Sequence, residues 1–315
     1  MAAFVIIGTG RAGSAVARLL VEKGWQAVGL FSRNGLSARQ LAATLAGKDG
    51  EIIAGVPAEE NLVTACCRAS VVFLTVPDDF IATTAEYLAG IFARNSLSLA
   101  GKLFLHMSGS RGLEELLPLK EMGALVAALH PLQSLPGEGG EKVLPGAWMA
   151  VEGTGEAGER AEQIARLLGG RVFSLPAGGR VFYHAAACVA SNYLVVLMDY
   201  CLLLMEKAGL AQEQALEAVE PLVMGTWSNL RRLGPEKALT GPVVRGDVGT
   251  VAKHLQALAA EGWDGFYRTL ARAALELARR GGRIEGDKYT EMRKLLEGEK
   301  GQGGEKNEPG DHGPA

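Results

Sequence analysis

Three glycines near the start of the chain have a spacing that suits an anion. Gly8-Thr9-Gly10-Arg11-Ala12-Gly13 follows an apolar run from Phe4 and leads into an amphipathic helical pattern. In such a G-x-G-x-x-G turn the first glycine bends the chain off a strand, the second lets backbone approach a pyrophosphate, and the third lets the helix pack against the sheet. The unpaired N–H groups at the helix start face the anion. Gly8, Thr9, Gly10, Arg11, Ala12 and Gly13 are therefore candidate dinucleotide contacts.

Further along, other polar residues follow apolar runs in the same way. Ser32-Arg33 stands where a carboxylate would hold a ribose diol, and a hydroxyl with a guanidinium suits a 2′-phosphate instead, which points to NADP(H). The other reading of Arg33 is a solvated turn residue. Thr75-Val76-Pro77 is placed to line the nicotinamide ribose, with Asp78 and Asp79 capping the next helix. His106-Met-Ser108-Gly109-Ser110 and His130-Pro-Leu-Gln-Ser134 each offer groups for a substrate carboxylate or carbonyl, or for satisfying loop backbone.

His184, Cys188, Ser191, Asn192 and Asp199 are spaced so that one continuous helix would carry them on one narrow face. Hydride delivery to a carbonyl or imine needs a proton donor and a group to hold developing charge, which His184 and Asn192 can supply. An internal hydrogen-bonded stripe is the alternative. Arg245, in Thr240-Gly-Pro-Val-Val-Arg245-Gly-Asp247, can grip a carboxylate bidentately or pair with a local acid, with Asp247 capping the following helix.

The elements that must position these residues form an α/β pattern. Strands are predicted at 4–7, 27–32, 51–54, 71–76, 103–106, 125–129, 148–151 and 171–174. Between them helices fit 13–23, 37–46, 59–68, 80–93, 112–121 and 156–168. This predicts a Rossmann-type, mostly parallel sheet over 1–176. After Pro176-Ala-Gly-Gly179 the periods are helical, at 181–208, 211–227, 247–260 and 263–280 with a weaker one to 296. An all-helical substrate and dimerisation domain is expected over 177–296 and a disordered tail over 297–315.

The 315 residues carry a net charge of -3, so neither nucleic acid nor an anionic membrane is an expected partner. The four cysteines, at 66, 67, 188 and 201, form no C-x-x-C, and no metal site or disulfide framework is expected. No charged leader precedes the first strand, so a cytoplasmic location is expected. The apolar run 185–205 is read as a dimer-forming helix rather than a membrane span, because Ser191, Asn192 and Asp199 interrupt it.

Taken in order, Gly8-Thr-Gly-Arg-Ala-Gly13, Leu74-Thr-Val-Pro77, His106-Met-Ser-Gly-Ser110, His130-Pro-Leu-Gln-Ser134, His184 with Ala190-Ser-Asn-Tyr193, and Leu239–Asp247 resemble the Rossmann-like oxidoreductases with a C-terminal helical domain of unknown function. That family is similar in layout to pyrroline-carboxylate reductases, prephenate dehydrogenases, ketopantoate reductases and β-hydroxyacid dehydrogenases. The resemblance implies an NADP-dependent reductase of a small 2-oxo or imino acid, of which ketopantoate is one example, working as a dimer. One departure is clear. Ketopantoate reductases and β-hydroxyacid dehydrogenases have a lysine four residues before the helix asparagine, where this chain has Cys188. His184 or His130 is then the expected acid, with Asn192 holding the oxygen and Ser108, Ser110 or Arg245 the carboxylate. The missing lysine also leaves a different class open, a nucleotide-binding sensor without turnover.

Overall fold

A computed structural model describes residues 2–45, 51–176 and 178–298. The chain runs β1 (Ala3–Ile7), α1 (Arg11–Glu22), β2 (Gln26–Phe31), α2 (Leu36–Leu45), β3 (Ile53–Gly55), α3 (Glu59–Arg68), β4 (Val71–Leu74) and α4 (Ile81–Arg94). It continues with β5 (Leu103–His106), α5 (Leu117–Glu121), β6 (Leu125–Pro131), α6 (Gly140–Val143), β7 (Trp148–Glu152), α7 (Gly155–Leu167) and β8 (Arg171–Ser174). Then come α8 (Gly179–Ala190), α9 (Asn192–Lys207), α10 (Gln212–Leu233), α11 (Pro235–Ala238), α12 (Pro242–Arg245), α13 (Val248–Ala259), α14 (Asp264–Arg280) and α15 (Gly286–Glu297).

The strands form one sheet in the order β3-β2-β1-β4-β5-β6-β7-β8. β1 to β6 are parallel, while β7 pairs antiparallel with β6 and carries β8 parallel to itself. Alternation along β1 explains the two covered faces. Phe4 and Ile6 pack with Val16 and Leu20 of α1 and Ile164 of α7, whereas Val5 and Ile7 pack with Leu62 of α3 and Leu88 of α4. Ile7, Leu74 and His106 are in register, so the loops after β1, β4 and β5 emerge side by side where the strand order reverses.

The molecule divides into two compact units within α9, between Met198 and Asp199. The division expected at 176 falls later because α8 is fastened to the sheet. Arg180 of α8 donates to Glu152 at the end of β7, and Tyr183 of α8 bonds His130 of β6. The second unit has its own core, in which Val243 and Val244 of α12 meet Val251, Leu255, Leu275 and Met292. Asp247 caps α13 as its sequence indicates, accepting the Thr250 N–H at 3.0 Å.

Two elements depart from expectation. The helix expected at 112–121 is a 3-10 turn, Leu113–Leu116, followed by α5, and Pro118 in the first turn of α5 has no N–H to continue the ladder. The long helix expected over 181–208 breaks at Ser191, whose φ of -118° and ψ of -69° separate α8 from α9. Asn192 therefore begins a new helix, and the phase of the stripe does not run on from His184. The segment Gly179–Lys207 is long and apolar enough to cross a membrane, and its apolar window is not buried. Residues 46–50, 177 and 299–315, which include one helix end, the break before α8 and nearly all of the expected tail, lie outside the described residues.

The glycine turn shows what its residues are for. Gly8 has φ +109°, and a methyl there would lie 2.5 Å from the Thr75 carbonyl carbon. A methyl on Gly13 would lie 2.2 Å from the Gly8 carbonyl oxygen and 2.6 Å from Thr75 Oγ1. Beside Gly10 nothing lies within 4 Å. Gly13→Ala is accordingly expected to lose about 2 kcal/mol or more of stability through backbone overpacking, and Gly10→Ala to stay within about 0.5 kcal/mol, in urea unfolding curves.

Candidate active site

The first site feature is the turn between β1 and α1. The Thr75 hydroxyl donates to the Gly8 carbonyl at 2.6 Å, tying the turn to the end of β4. Thr9 and Ser37 share a hydroxyl hydrogen bond of 2.8 Å, which joins this turn to the start of α2. No side chain caps α1. Its first N–H groups therefore meet open space over Gly10, the arrangement a diphosphate needs. Ser32 Oγ accepts the Ala38 N–H at 3.4 Å, and the Arg33 side chain is exposed beside it.

The second feature is a polar cluster beyond β4, β5, β6 and β7, closed by α8. His106 is fully buried; its Nδ1 accepts the Ser108 N–H and its Nε2 donates to the Gly112 carbonyl at 3.0 Å. Both nitrogens are thus spent on shaping the loop. Ser108 and Ser110, expected to meet a substrate, instead both donate to Asp78 Oδ2, at 2.7 and 2.8 Å. Ser108 Oγ also accepts the N–H groups of Ser110 and Arg111. Such committed hydroxyls beside a carboxylate do not receive a second carboxylate. Asp78 and Asp79 were expected as helix caps, but Asp78 bridges loops and Asp79 accepts from Arg111 at 2.6 Å, with no capping hydrogen bond at that turn.

Two imidazoles converge above this loop. A methyl on Gly109 would lie 2.5 Å from His184 Nδ1 and 2.8 Å from His130 Nε2. His184 Nδ1 is buried without a hydrogen-bond partner, while its Nε2 lies 3.7 Å from Cys188 Sγ. His130 Nδ1 is taken by the Tyr183 hydroxyl at 2.6 Å. Arg180 holds α8 in place: its Nε and Nη2 donate to Glu152 Oε2 at 2.9 and 2.6 Å and its Nη1 to the Ser108 carbonyl at 2.9 Å.

Burial dominates the electrostatics. It pulls His106 and His130 down to about 4, assisted at His130 by the neighbouring His184 and Arg180 charges. It raises Tyr183 to about 12, so Tyr183 keeps its proton and donates to His130 Nδ1, which leaves the His130 hydrogen on Nε2, facing Gly109.

Of the other sequence candidates, Asn192 is exposed at the start of α9. Arg245 is exposed on α12 in the other unit. Gly109, Arg180, Tyr183 and Glu152 were not singled out from sequence. Tyr183 adjoins His184, and Arg180 precedes it by one helical turn, a signal that was available; Glu152 had none, since only β7's antiparallel course brings it to Arg180.

Residues 2–131 match the Rossmann-like domain and residues 147–274 the domain of unknown function DUF2520, so the chain is a Rossmann-like protein carrying that C-terminal domain. Among curated proteins none matches the sequence. Among solved structures, a Bacteroides fragilis protein provisionally named an NADP oxidoreductase aligns over 90% of this chain and 98% of its own, with TM-score 0.65 and 22% identity. A Thermotoga maritima protein aligns over 89% and 100%, with TM-score 0.61 and 24% identity. The 1-pyrroline-5-carboxylate reductase of Streptococcus pyogenes aligns over 90% and 98%, with TM-score 0.57 and 16% identity. At these identities the shared property is the fold.

His106 and His130 make stability depend on pH. Each has a folded value near 4, below its ordinary 6.5, so the unfolded chain binds more protons between those limits. Stability is complete above about pH 6.5 and falls as pH drops towards 4, by about 3 kcal/mol for His106. Urea titrations from pH 7 to pH 4 are expected to show this loss, and His106→Gln to flatten its slope by close to one proton.

Proposed function

We propose that the chain is an NADP-dependent oxidoreductase that reduces a small 2-oxo acid or imino acid. The observation that carries this reading is the convergence of His130 Nε2 and His184 Nδ1 on Gly109, with His184 Nδ1 buried and unpartnered. A buried polar atom without a partner costs about 1–3 kcal/mol, a cost relieved when a substrate oxygen or nitrogen hydrogen-bonds to it. The likeness to proteins named as an NADP oxidoreductase and a pyrroline-carboxylate reductase supports the reaction class.

The residues fit a dinucleotide because the space beside Gly10 is open while Gly8 and Gly13 are closed by backbone. Gly8 to Gly13 would hold the diphosphate, Thr75 to Pro77 the nicotinamide ribose, and Ser32 with Arg33 the 2′-phosphate. When bound, the cofactor supplies the hydride. His184 gives a proton from Nδ1 to the oxygen or nitrogen of the reduced double bond. Cys188 Sγ steadies the opposite nitrogen of that ring. His130 stays neutral and donates a hydrogen bond from Nε2, polarising the carbonyl or imine.

The partner proposed for the exposed apolar surface is a second copy of the chain. Val181, Phe182, Val189, Tyr193, Val195 and Val196 are more than half exposed on α8 and α9. A two-fold pair buries the same patch from both sides, whereas a lone membrane span would have to carry Asp199. A cytoplasmic location is proposed alongside. Light scattering of the purified chain is expected to give twice 33.1 kDa; a monomer mass, or capture by lipid vesicles, would count against the dimer.

The activity is tested by following NADPH absorbance, beside NADH, across a panel of 2-oxo acids and cyclic imines. A substrate is expected to be reduced, and His184→Ala to lower kcat by roughly 100-fold or more. Gly109→Ala is expected to abolish turnover while NADPH still binds, because its methyl collides with both imidazoles and displaces them. Tight NADPH binding with no hydride loss on any substrate would favour a sensor instead.

A further inference from the structure

The loop between β2 and α2 holds a second guanidinium that the nucleotide reading above does not use. From Ser32 to Arg39 the sequence Ser-Arg-Asn-Gly-Leu-Ser-Ala-Arg contains two arginines, two serines and no carboxylate. Gly35 turns the loop with φ +73°, and a methyl there would lie 2.7 Å from Arg39 Nη1, 3.0 Å from Val56 N and 3.1 Å from Gly55 C. A methyl on Gly55, the last residue of β3, would lie 3.6 Å from the same Arg39 nitrogen. The Arg39 side chain thus runs back from α2 across two glycines, to the carboxyl ends of β2 and β3. Glycine at both places is what lets a guanidinium lie so close to backbone.

What Arg39 meets there is equally informative. Several arginines around the sheet are paired with acids: Arg94 with Glu59, Arg111 with Asp79, Arg160 with Glu156 and Arg180 with Glu152. Arg33 and Arg39 have no acid and no hydrogen-bond partner among the described residues, and both are exposed. Two free guanidiniums therefore border one loop. The Ser37 hydroxyl of that loop bonds Thr9 of the glycine turn at 2.8 Å, so the two loops form one continuous polar rim. Cations converging without a counter-ion repel each other, and a dianion between them removes that cost.

We infer that Arg39 is the second cation of a phosphomonoester site at the end of β2, gripping the 2′-phosphate of the nucleotide opposite Arg33 and setting the preference for NADPH over NADH. The inference rests on the reading of the glycine turn as a dinucleotide site. Arg33 is exposed in the loop and Arg39 reaches back to the loop from the helix, and each guanidinium can offer one phosphate more than one N–H. Ser37 is spent on Thr9 and Ser32 on capping α2; the two hydroxyls fix the loop, and the charge is supplied by the arginines.

The test is calorimetric titration of the full chain with NADPH, NADH, 2′,5′-ADP, 5′-ADP and inorganic phosphate, for wild type, Arg39→Met and Arg39→Lys. Arg39→Met removes the charge and keeps the aliphatic stem, and a thermal melt checks that the fold is unchanged. Wild type is expected to prefer NADPH and 2′,5′-ADP. Arg39→Met should weaken both by roughly 10- to 100-fold while NADH and 5′-ADP change less than about twofold, with Arg39→Lys in between. Wild type preferring NADPH while Arg39→Met keeps that ratio overturns the role of Arg39 and leaves the dinucleotide site standing. Equal binding of NADPH and NADH by wild type overturns the 2′-phosphate site as well. Inorganic phosphate displacing 2′,5′-ADP at equal concentration shows a free-anion site and overturns the inference. No binding of either dinucleotide overturns the reading of the glycine turn, and this inference with it.

Discussion

Arg180 is the residue on which the polar cluster depends. It is only 7% exposed, yet its guanidinium is answered on three sides, twice by Glu152 and once by the Ser108 carbonyl. Those bonds join the start of α8, the end of β7 and the loop after β5. Arg180 is buried while Glu152 is 37% exposed, so losing Glu152 strands the guanidinium, at about 3–5 kcal/mol, more than losing Arg180 strands the carboxylate. The pair fixes geometry. With α8 anchored there, the next turn of helix delivers Tyr183 and His184 to the strand end where His130 emerges.

The same economy appears in the loop after β5. His106 spends both ring nitrogens on backbone, Ser108 spends its hydroxyl on Asp78 and two N–H groups, and Asp78 in turn spans from the end of β4. The polar groups of this loop bond one another, and the histidine nitrogens pack against Gly109. A loop satisfied internally stays still, and a still loop keeps two imidazoles pointing at one place without a ligand to hold them.

How much of this could be read in the sequence follows from the range of each interaction. Strands β1, β5 and β8 were legible because apolar alternation and flanking glycines are local signals, and the roles of Gly8, Gly10 and Gly13 followed from one spacing. The fate of Ser108 was not legible, because its partner Asp78 lies 30 residues away and is brought near only by the β4–β5 register. Helical periodicity placed His184, Cys188 and Asn192 on one face by assuming an unbroken helix. The break at Ser191 separates Asn192 from the other two, and no proline or glycine there marks it. His184 and Cys188, four apart within α8, are local and do meet.

The two buried histidines divide the work by their surroundings. His106 and His130 both lose their charge to burial, but His106 has no free nitrogen, so its neutrality serves the fold alone. His130 keeps one nitrogen free because Tyr183 occupies the other, and a neutral ring with its hydrogen on the free nitrogen is a hydrogen-bond donor that costs no charge burial. The apolar packing that depresses His130, from Tyr183 edge-on against its ring and Phe173 beyond, is in this sense part of the chemistry rather than background to it.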